Sequence, residues 1–493
     1  MGSGSEVERD DVAVLLAAKD AEIDALTARI AELEGLVAAL HVQIGRDSSN
    51  SSQPPSSDSP FVKKPTAKRS SRQRSGKKPG KQPGSGGSML SLVEDPDEVF
   101  QVPALQCSCC GAGLAGAPVV GTRRHQVVDV PPEPPRPRVT EYRVQSACCP
   151  GCGVVTEAVH REVPAAPVPG AASYGPQVKA RAAWLTCAHF LPVRRARRIV
   201  NALGGFAVSD GFIAGMRGAA ARLVEERFLP HVRALIAAAP VAHADETTAR
   251  CEGRLRYLHV ACTEHLAAMH VGDRSADTID AGGIWPAFTG VLVRDGYSGY
   301  GHLTDIDHAW CGIHLVRDLR AASDADPEGQ LWATAMADTL LLANTTAHTA
   351  RNQGRDALSE KELTVIRNRY AGAIGLGREQ NRHGRDPLHD TARTLLRRFE
   401  RHQDMILRFT VNLQVPFTNN TAELAARSAK VQQRTSGGCW RTLTGLIDFA
   451  AVQSYLSTAT KWGIDTLDAM TRLFTTGPWL PPAPTPDTAA HPA

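Results

Sequence analysis

An apolar tripeptide followed closely by an acid and a glycine, Val291–Leu292–Val293 with Asp295 and Gly296, is the feature that most narrows what this chain can fold into. Such a run reads as a buried strand and the glycine marks its end, so the Asp295 carboxylate falls at the C-terminal edge of a strand. Open sheets usually hold their ligands at that edge. A second acid stands in a similar setting, where the short apolar run Ala238–Ala244 (AAPVAHA) leads into Asp245, Glu246 and Thr247. Between the two acids, Arg254–Cys262 and Leu266–Val271 alternate as strands, and Ser275–Ile284 reads as a helix.

The order strand, strand, strand, helix, strand, with acids after the first and fourth strands, is that of a ribonuclease H-like core. There the two strands are neighbours, and carboxylates at their ends can share metal ions. A lone Asp at a strand end is commonplace; two in matching places give the reading its weight. Asp305 and Asp307 compete with Asp295 but rank below it, because neither follows so clear a strand. Cys311 and His314 lie three apart at the start of the next helix, open to reading as a second zinc half-site or as a packed Cys and a helix-capping His. From Asp318 to about Arg408 the chain is helical and charged, broken by GLGREQNRHGRDP, and does not continue the strand pattern. Beyond it, Asn419–Asn420 can cap a helix carrying Glu423 in its first turn. Asn420 and Glu423 have capping-box spacing, which is the competing role for that Glu.

The 493 residues exceed one ordinary core, and at roughly 150 residues per domain they indicate about three units plus linkers. Net charge is only +4, from 55 basic and 51 acidic residues. The basic residues are unevenly spread: between Ser59 and Val93 no acid offsets the nine Lys and Arg from Lys63 to Lys81. That Ser-, Pro- and Gly-rich segment cannot fold alone, and it reads either as a solvated linker or as a phosphate-backbone contact. Before it, Ile23, Leu26, Ile30, Leu33, Val37, Leu40 and Ile44 alternate steps of three and four, a heptad seam that predicts self-association as a parallel dimer. No apolar run approaches the ~20 residues of a membrane span, and no signal peptide opens the chain, so a cytoplasmic, DNA-associated location is expected.

Six of the eleven cysteines fall in two tight clusters, QCSCCG and ACCPGCG. Cys107 with Cys110 and Cys149 with Cys152 make two CxxC knuckles, a pattern that suits tetrahedral Zn2+. Cys109 and Cys148 leave the register open. Arg124–Val130 and Val139–Ser146 read as strands between the knuckles, giving a zinc-ribbon-like domain; the remaining five cysteines are expected in the core. Further on, Arg194–Ala220 reads as helix, glycine turn and a second helix capped by Ser209, which resembles a helix-turn-helix unit, with a plain packing role as the alternative.

Taken in order, the zipper, the cysteine region, YGPQVKARAAWL, HADET, RDGYSGY, CGIHLVRDL and VPFTNNTAELAAR with its following SGG resemble a transposase of the insertion sequence 66 family, in its long-subunit form. The resemblance implies a DDE nuclease with Asp245, Asp295 and Glu423 as the metal-binding triad and His314 near the scissile phosphate. Two Mg2+ (or Mn2+) ions about 4 Å apart would activate water and stabilise the leaving 3′ oxygen, with Asp245 bridging them and Asp295 and Glu423 each holding one. The freed 3′ hydroxyl would then attack target DNA. Leu424, where Arg is usual, and Cys439–Trp440, where Phe or Tyr with Arg is usual, depart from the family pattern.

The expected architecture is multidomain α+β: coiled-coil zipper 1–46, basic disordered linker 47–90, zinc-binding ribbon-like domain 91–165 and helical, helix-turn-helix-like region 171–237. A ribonuclease H-like α/β catalytic core follows in two parts, 238–318 and 411–475, around a helical insertion 319–410, with a Pro-rich tail 476–493. Expected partners are DNA (terminal inverted repeats and target), a second copy through the zipper, and accessory transposition proteins, with no membrane. Two other classes fit the same parts: a catalytically silent zinc-containing DNA-binding regulator, and a related nuclease such as a junction resolvase.

Overall fold

The computed structural model describes residues 19–30, 33, 37, 92–128, 136–159 and 172–483. The basic linker, most of the zipper, the joint at 163–170 and the end of the tail lie outside them. Residues 19–30 are helical (α1), with Ile23, Leu26 and Ile30 each more than half exposed. Among the described residues no helix is long and apolar enough to cross a membrane.

Two compact units are present, one of them taking in residues 64–138 and 203–205. In that unit the first cysteine knuckle is a tight loop: Cys107 N–H donates to Ala112 O at 2.8 Å and Gly111 N–H to Cys107 O at 2.9 Å. The other unit contains the second knuckle and everything from 139 onward apart from 203–205. Its two short strands, β1 (Ser146–Cys148) and β2 (Val155–Glu157), pair antiparallel around Cys149–Cys152. Of the strands expected at 124–130 and 139–146, the described residues 124–128 and 139–145 carry none, and β1 begins only at Ser146. Val127, Val128 and Val139 are all largely exposed; alternation without a surface to bury it against does not make a strand.

The helical region comprises α2 (Pro176–Cys187), α3 (Val193–Gly204) and α4 (Asp210–Leu223). Pro192 separates the first two, and the turn after α3 uses Gly205 at φ +68°. Ser209 caps α4, accepting from Phe212 N–H. A π-helical turn, Val224–Phe228, passes into α5 (Leu229–Ala237).

A mixed five-stranded sheet follows, built from β3 (Val241–Cys251), β4 (Arg254–Cys262), β5 (Ala267–Gly272), β6 (Val291–Arg294) and β7 (Asp307–Trp310), in the order β5-β4-β3-β6-β7. The first three form an antiparallel meander, while β3, β6 and β7 run parallel. Helix α6 (Ala276–Ala281), capped by Ser275, precedes β6. Period-two alternation decides which face each residue covers: Leu292 packs with Phe228, Ile236 and Tyr300, whereas Val291 and Val293 join the helices after the sheet.

Those helices are α7 (Gly312–Ala325), α8 (Leu331–Asn352), α9 (Glu360–Gln380), α10 (Pro387–Arg401) and α11 (Gln403–Val411). Trp332, Met336, Leu340 and Phe399 share one buried cluster with Val291, Val293 and Ala309 of the sheet. The expected break at GLGREQNRHGRDP is shorter than the motif, because α9 continues through Gly375 and Gly377 to Gln380. Last come α12 (Asn420–Thr435), α13 (Leu443–Lys461) and α14 (Thr466–Thr475). Four of the scattered cysteines, Cys187, Cys251, Cys262 and Cys311, are buried as expected, but Cys439 is exposed beside the positive-φ pair Gly437–Gly438. Its neighbour Trp440 is buried against Phe449, so that departure from the family pattern is absorbed by the core.

Candidate active site

Adjacent strands β3 and β6 pair Val241 with Val291 and His243 with Val293. Asp245 and Asp295 each stand two positions beyond the last of these pairs, so the two carboxylates occupy equivalent places on neighbouring strands. Asp295 is the first residue after β6, but Asp245 does not end its strand. β3 continues to Cys251, and Asp245 sits opposite Val260 of β4. The sequence misleads here because Asp, Glu and Thr look like a turn. The extension is instead held by a full antiparallel partner. Asp307 opens β7 at the level of Val291, the opposite end from Asp295, and pairs with Arg408 at 2.9 Å.

Glu423 reaches this place from α12. Its N-cap residue is Asn419, with no side-chain capping bond, and Asn420 lies inside the helix, so the capping-box alternative for Glu423 is not realised. The Asn419 side chain crosses to β3 instead. Its amide donates to Ala244 O at 2.7 Å, and its oxygen faces His243 Nδ1 at 3.0 Å. Since that oxygen can only accept, the His243 proton lies on Nδ1. Burial keeps His243 neutral, pushing its pKa down to about 4 against the pull of that hydrogen bond.

Helix α7 is tied to the same segment. Gly312 N–H donates to Phe417 O at 2.8 Å, and a methyl group at Gly312 would fall within 2.6 Å of three atoms of the Phe417 ring. Cys311, buried at the N-cap position, accepts the Asn419 N–H on its sulfur at 3.2 Å. His314, one turn on, brings Nδ1 to 3.7 Å from Glu423 Oε1.

The electrostatics follow from this convergence. Burial first, and then the charges of Asp295, Glu246 and Glu423, raise the Asp245 carboxyl well above its ordinary range, with His314 opposing. Burial alone would lower the His314 pKa, but the Cys311 sulfur and the Glu423 and Asp295 carboxylates outweigh it and raise it to about 9. Burial brings Lys430, which donates to Thr248 on β3, down to about 8. A set of carboxylates whose like charges reinforce proton binding is the donor chemistry that a hard divalent cation selects.

The support beside the two strand acids has no signal in the sequence. Glu246 is buried and ion-paired with Arg274, and Tyr300 donates to it at 3.4 Å. The Arg274 guanidinium lies 3.8 Å from the Tyr297 ring centroid, and Tyr297 OH returns a hydrogen bond to Arg274 O. Tyr297 N–H also donates to Asp295 Oδ1, and buried Arg294 holds the carbonyls of Asp295 and Tyr297. HADET and RDGYSGY are thus joined through Arg274, which lies in neither motif.

Each cysteine knuckle has the same internal geometry. In the second, Cys149 N–H donates to Val154 O and Gly153 N–H to Cys149 O, both at 2.9 Å. Backbone N–H groups of Cys110 and Cys109 lower the Cys107 pKa, and those of Cys152 and Gly151 do the same for Cys149. Cys107 and Cys149 thus hold matching places in the two loops.

Among known families, the one described as Transposase IS66 family matches residues 171–446, more than half of the chain. That span takes in Asp245, Asp295, His314 and Glu423 and leaves both knuckles outside. A family of unknown function matches residues 10–90. No curated protein shows a match.

Proposed function

The chain belongs to the IS66 transposase family, and from that premise we propose that it cuts DNA at the ends of a mobile element and joins the freed 3′ end to target DNA. What supports this reading is the backbone placement of the acids: Asp245 and Asp295 hold equivalent positions on neighbouring strands, and Glu423 lies in the first turn of α12, whose N-cap residue Asn419 is bonded to β3. Mg2+ or Mn2+ held by these three carboxylates would supply an activated water and charge neutralisation at the leaving 3′ oxygen.

The chain's own groups provide position and field. β4 pairs with the Asp245 backbone, the Tyr297 N–H orients Asp295, and Asn419 holds the start of α12 against β3. His314, positively charged at neutral pH, lies where the negative charge of a phosphodiester would be stabilised. Strand transfer is then a second displacement at phosphorus: the 3′ oxygen forms the new P–O bond, the target's own 3′ oxygen leaves, and no bond to protein is made.

DNA contact is assigned to exposed Arg194, Arg195 and Arg198 of α3, together with the basic segment at 63–81. Phosphates neutralised there would make binding fall with salt. Cys107, Cys110, Cys149 and Cys152 are the proposed thiolate ligands for structural Zn2+, since fully thiolate-bound zinc leaves no open position for chemistry. The zipper pairs two copies, and accessory transposition proteins remain candidate partners.

Replacing Asp245, Asp295 or Glu423 singly by Ala is expected to lower Mg2+-dependent strand cleavage by about a hundredfold or more, with DNA binding retained. Cleavage kept by all three variants would sink the assignment. Hydrolysis without joining would identify a resolvase-like nuclease instead.

A further inference from the structure

Cys311, His314 and Glu423 each offer one ligand atom, and these atoms lie within 4.8 Å of one another. The His314 Nδ1 is buried and has no hydrogen-bond partner, although it stands between two groups of opposite chemical preference. A buried ring nitrogen without a partner is uncommon and asks for an explanation. A tetrahedral ion about 2.0–2.1 Å from a nitrogen and an oxygen donor holds them about 3.4 Å apart, close to the 3.7 Å between His314 Nδ1 and Glu423 Oε1. The third donor is a sulfur, which hard ions such as Mg2+ avoid and thiophilic ions prefer. The Asn419 N–H already orients that sulfur, as outer-shell donors do for metal ligands. Glu423 keeps 27% of its side chain exposed and His314 15%, so an ion can enter from solvent.

We infer that Cys311, His314 and Glu423 form a binding site for one thiophilic divalent cation of the Zn2+ class, and that its occupancy draws Glu423 out of the carboxylate set formed with Asp245 and Asp295. Binding replaces the Cys311 thiol proton and any His314 imidazolium proton, which pass to solvent as the metal–sulfur and metal–nitrogen bonds form. The negative surroundings that favour positive charge at His314 favour the ion equally. The site is separate from the knuckles, which use thiolates alone. Its effect on cleavage rests on the function proposed above for Glu423, whereas the binding does not.

The test uses the full-length chain, stripped of metal and titrated with Co2+, whose thiolate charge-transfer absorption reports sulfur ligation. Measurements are made in a Cys107→Ser/Cys149→Ser background, which removes a thiolate from each knuckle, and also on the unsubstituted chain. In either background Cys311→Ser is expected to remove a distinct part of the thiolate band, any remainder belonging to the knuckles, and His314→Asn to weaken the affinity of that part by at least about tenfold. A spectrum unaltered by Cys311→Ser in both would overturn the site. In parallel, Zn2+ added to Mg2+-supported cleavage should inhibit the unsubstituted chain at least tenfold more strongly than Cys311→Ser, comparing each with its own zinc-free rate. Equal inhibition of the two would overturn the capture of Glu423. If neither preparation cleaves DNA, the catalytic reading has failed, and the Co2+ spectra still decide the site.

Discussion

Asn419 connects three segments that are far apart in sequence: its amide reaches Ala244, its oxygen faces His243, and its backbone N–H meets the Cys311 sulfur. All three bonds are buried, so removing the side chain leaves the Ala244 carbonyl and the His243 N–H without partners. Asn419→Ala should cost about 2 kcal/mol of stability, read as a lower urea midpoint, and Asn419→Asp should recover only part of it because the donor to Ala244 is lost. A midpoint unchanged in both variants would refute this role. Residue patterns identified Asn419 as a helix cap and no more. Its position before an apolar-periodic segment is local information, whereas its partner lies 175 positions away. The positions of Asp245 and Asp295 could be read because each follows or interrupts an apolar run, whereas Glu423 was singled out only by the family resemblance. Arg274 could not be read, since nothing in its own surroundings marks a residue that stacks on Tyr297 and neutralises Glu246.

At the level of single elements, α9 begins with a complete capping box. Ser359 accepts from Glu362 N–H, and the Glu362 carboxylate accepts from the Ser359 backbone and from Arg355. The Arg355 bonds first, and then those from Ser359, lower the Glu362 pKa from its ordinary 4.5 to about 2. A group whose folded pKa is depressed stabilises the fold above its unfolded value and loses that contribution as pH falls through the folded value. Glu362→Gln should therefore destabilise the first turn of α9 at neutral pH, with the difference from the unsubstituted chain shrinking as pH drops from 4.5 towards 2. Hydrogen exchange of the α9 amides against pH checks this; a difference independent of pH would count against it. Elements with both local pattern and burial were readable: β4 runs over Arg254–Cys262 as its alternation indicates. β7 went unread, because Asp307–Trp310 starts with a charge and is only four residues long. Residues 124–128 and 139–145, read as strands, form none for the opposite reason, having pattern without burial.

For the molecule as a whole, the order of motifs from Tyr174 to Gly438 identified the family, and the topology β5-β4-β3-β6-β7 supplies the frame on which those motifs meet. The proposed self-association lies elsewhere, in the heptad seam near the N-terminus. Ile23, Leu26, Ile30, Leu33 and Val37 are 47–58% exposed on a single chain, an apolar stripe that a second copy would cover. Ile30→Asp should convert the dimer to monomer in sedimentation analysis at micromolar concentration; an unchanged mass would move the self-association to another surface.

The passage of β3 straight through Asp245 has a consequence for how the site accommodates a substrate. Asp245 is held within a strand by its pairing with β4, Asp295 stands just past the end of a strand, and Glu423 rides on the first turn of a helix. The three acids thus form a graded set, from strand-held to helix-borne. Under the proposed function, Asp245 would be the reference point for a bound phosphodiester, and fine adjustment would fall to the other two.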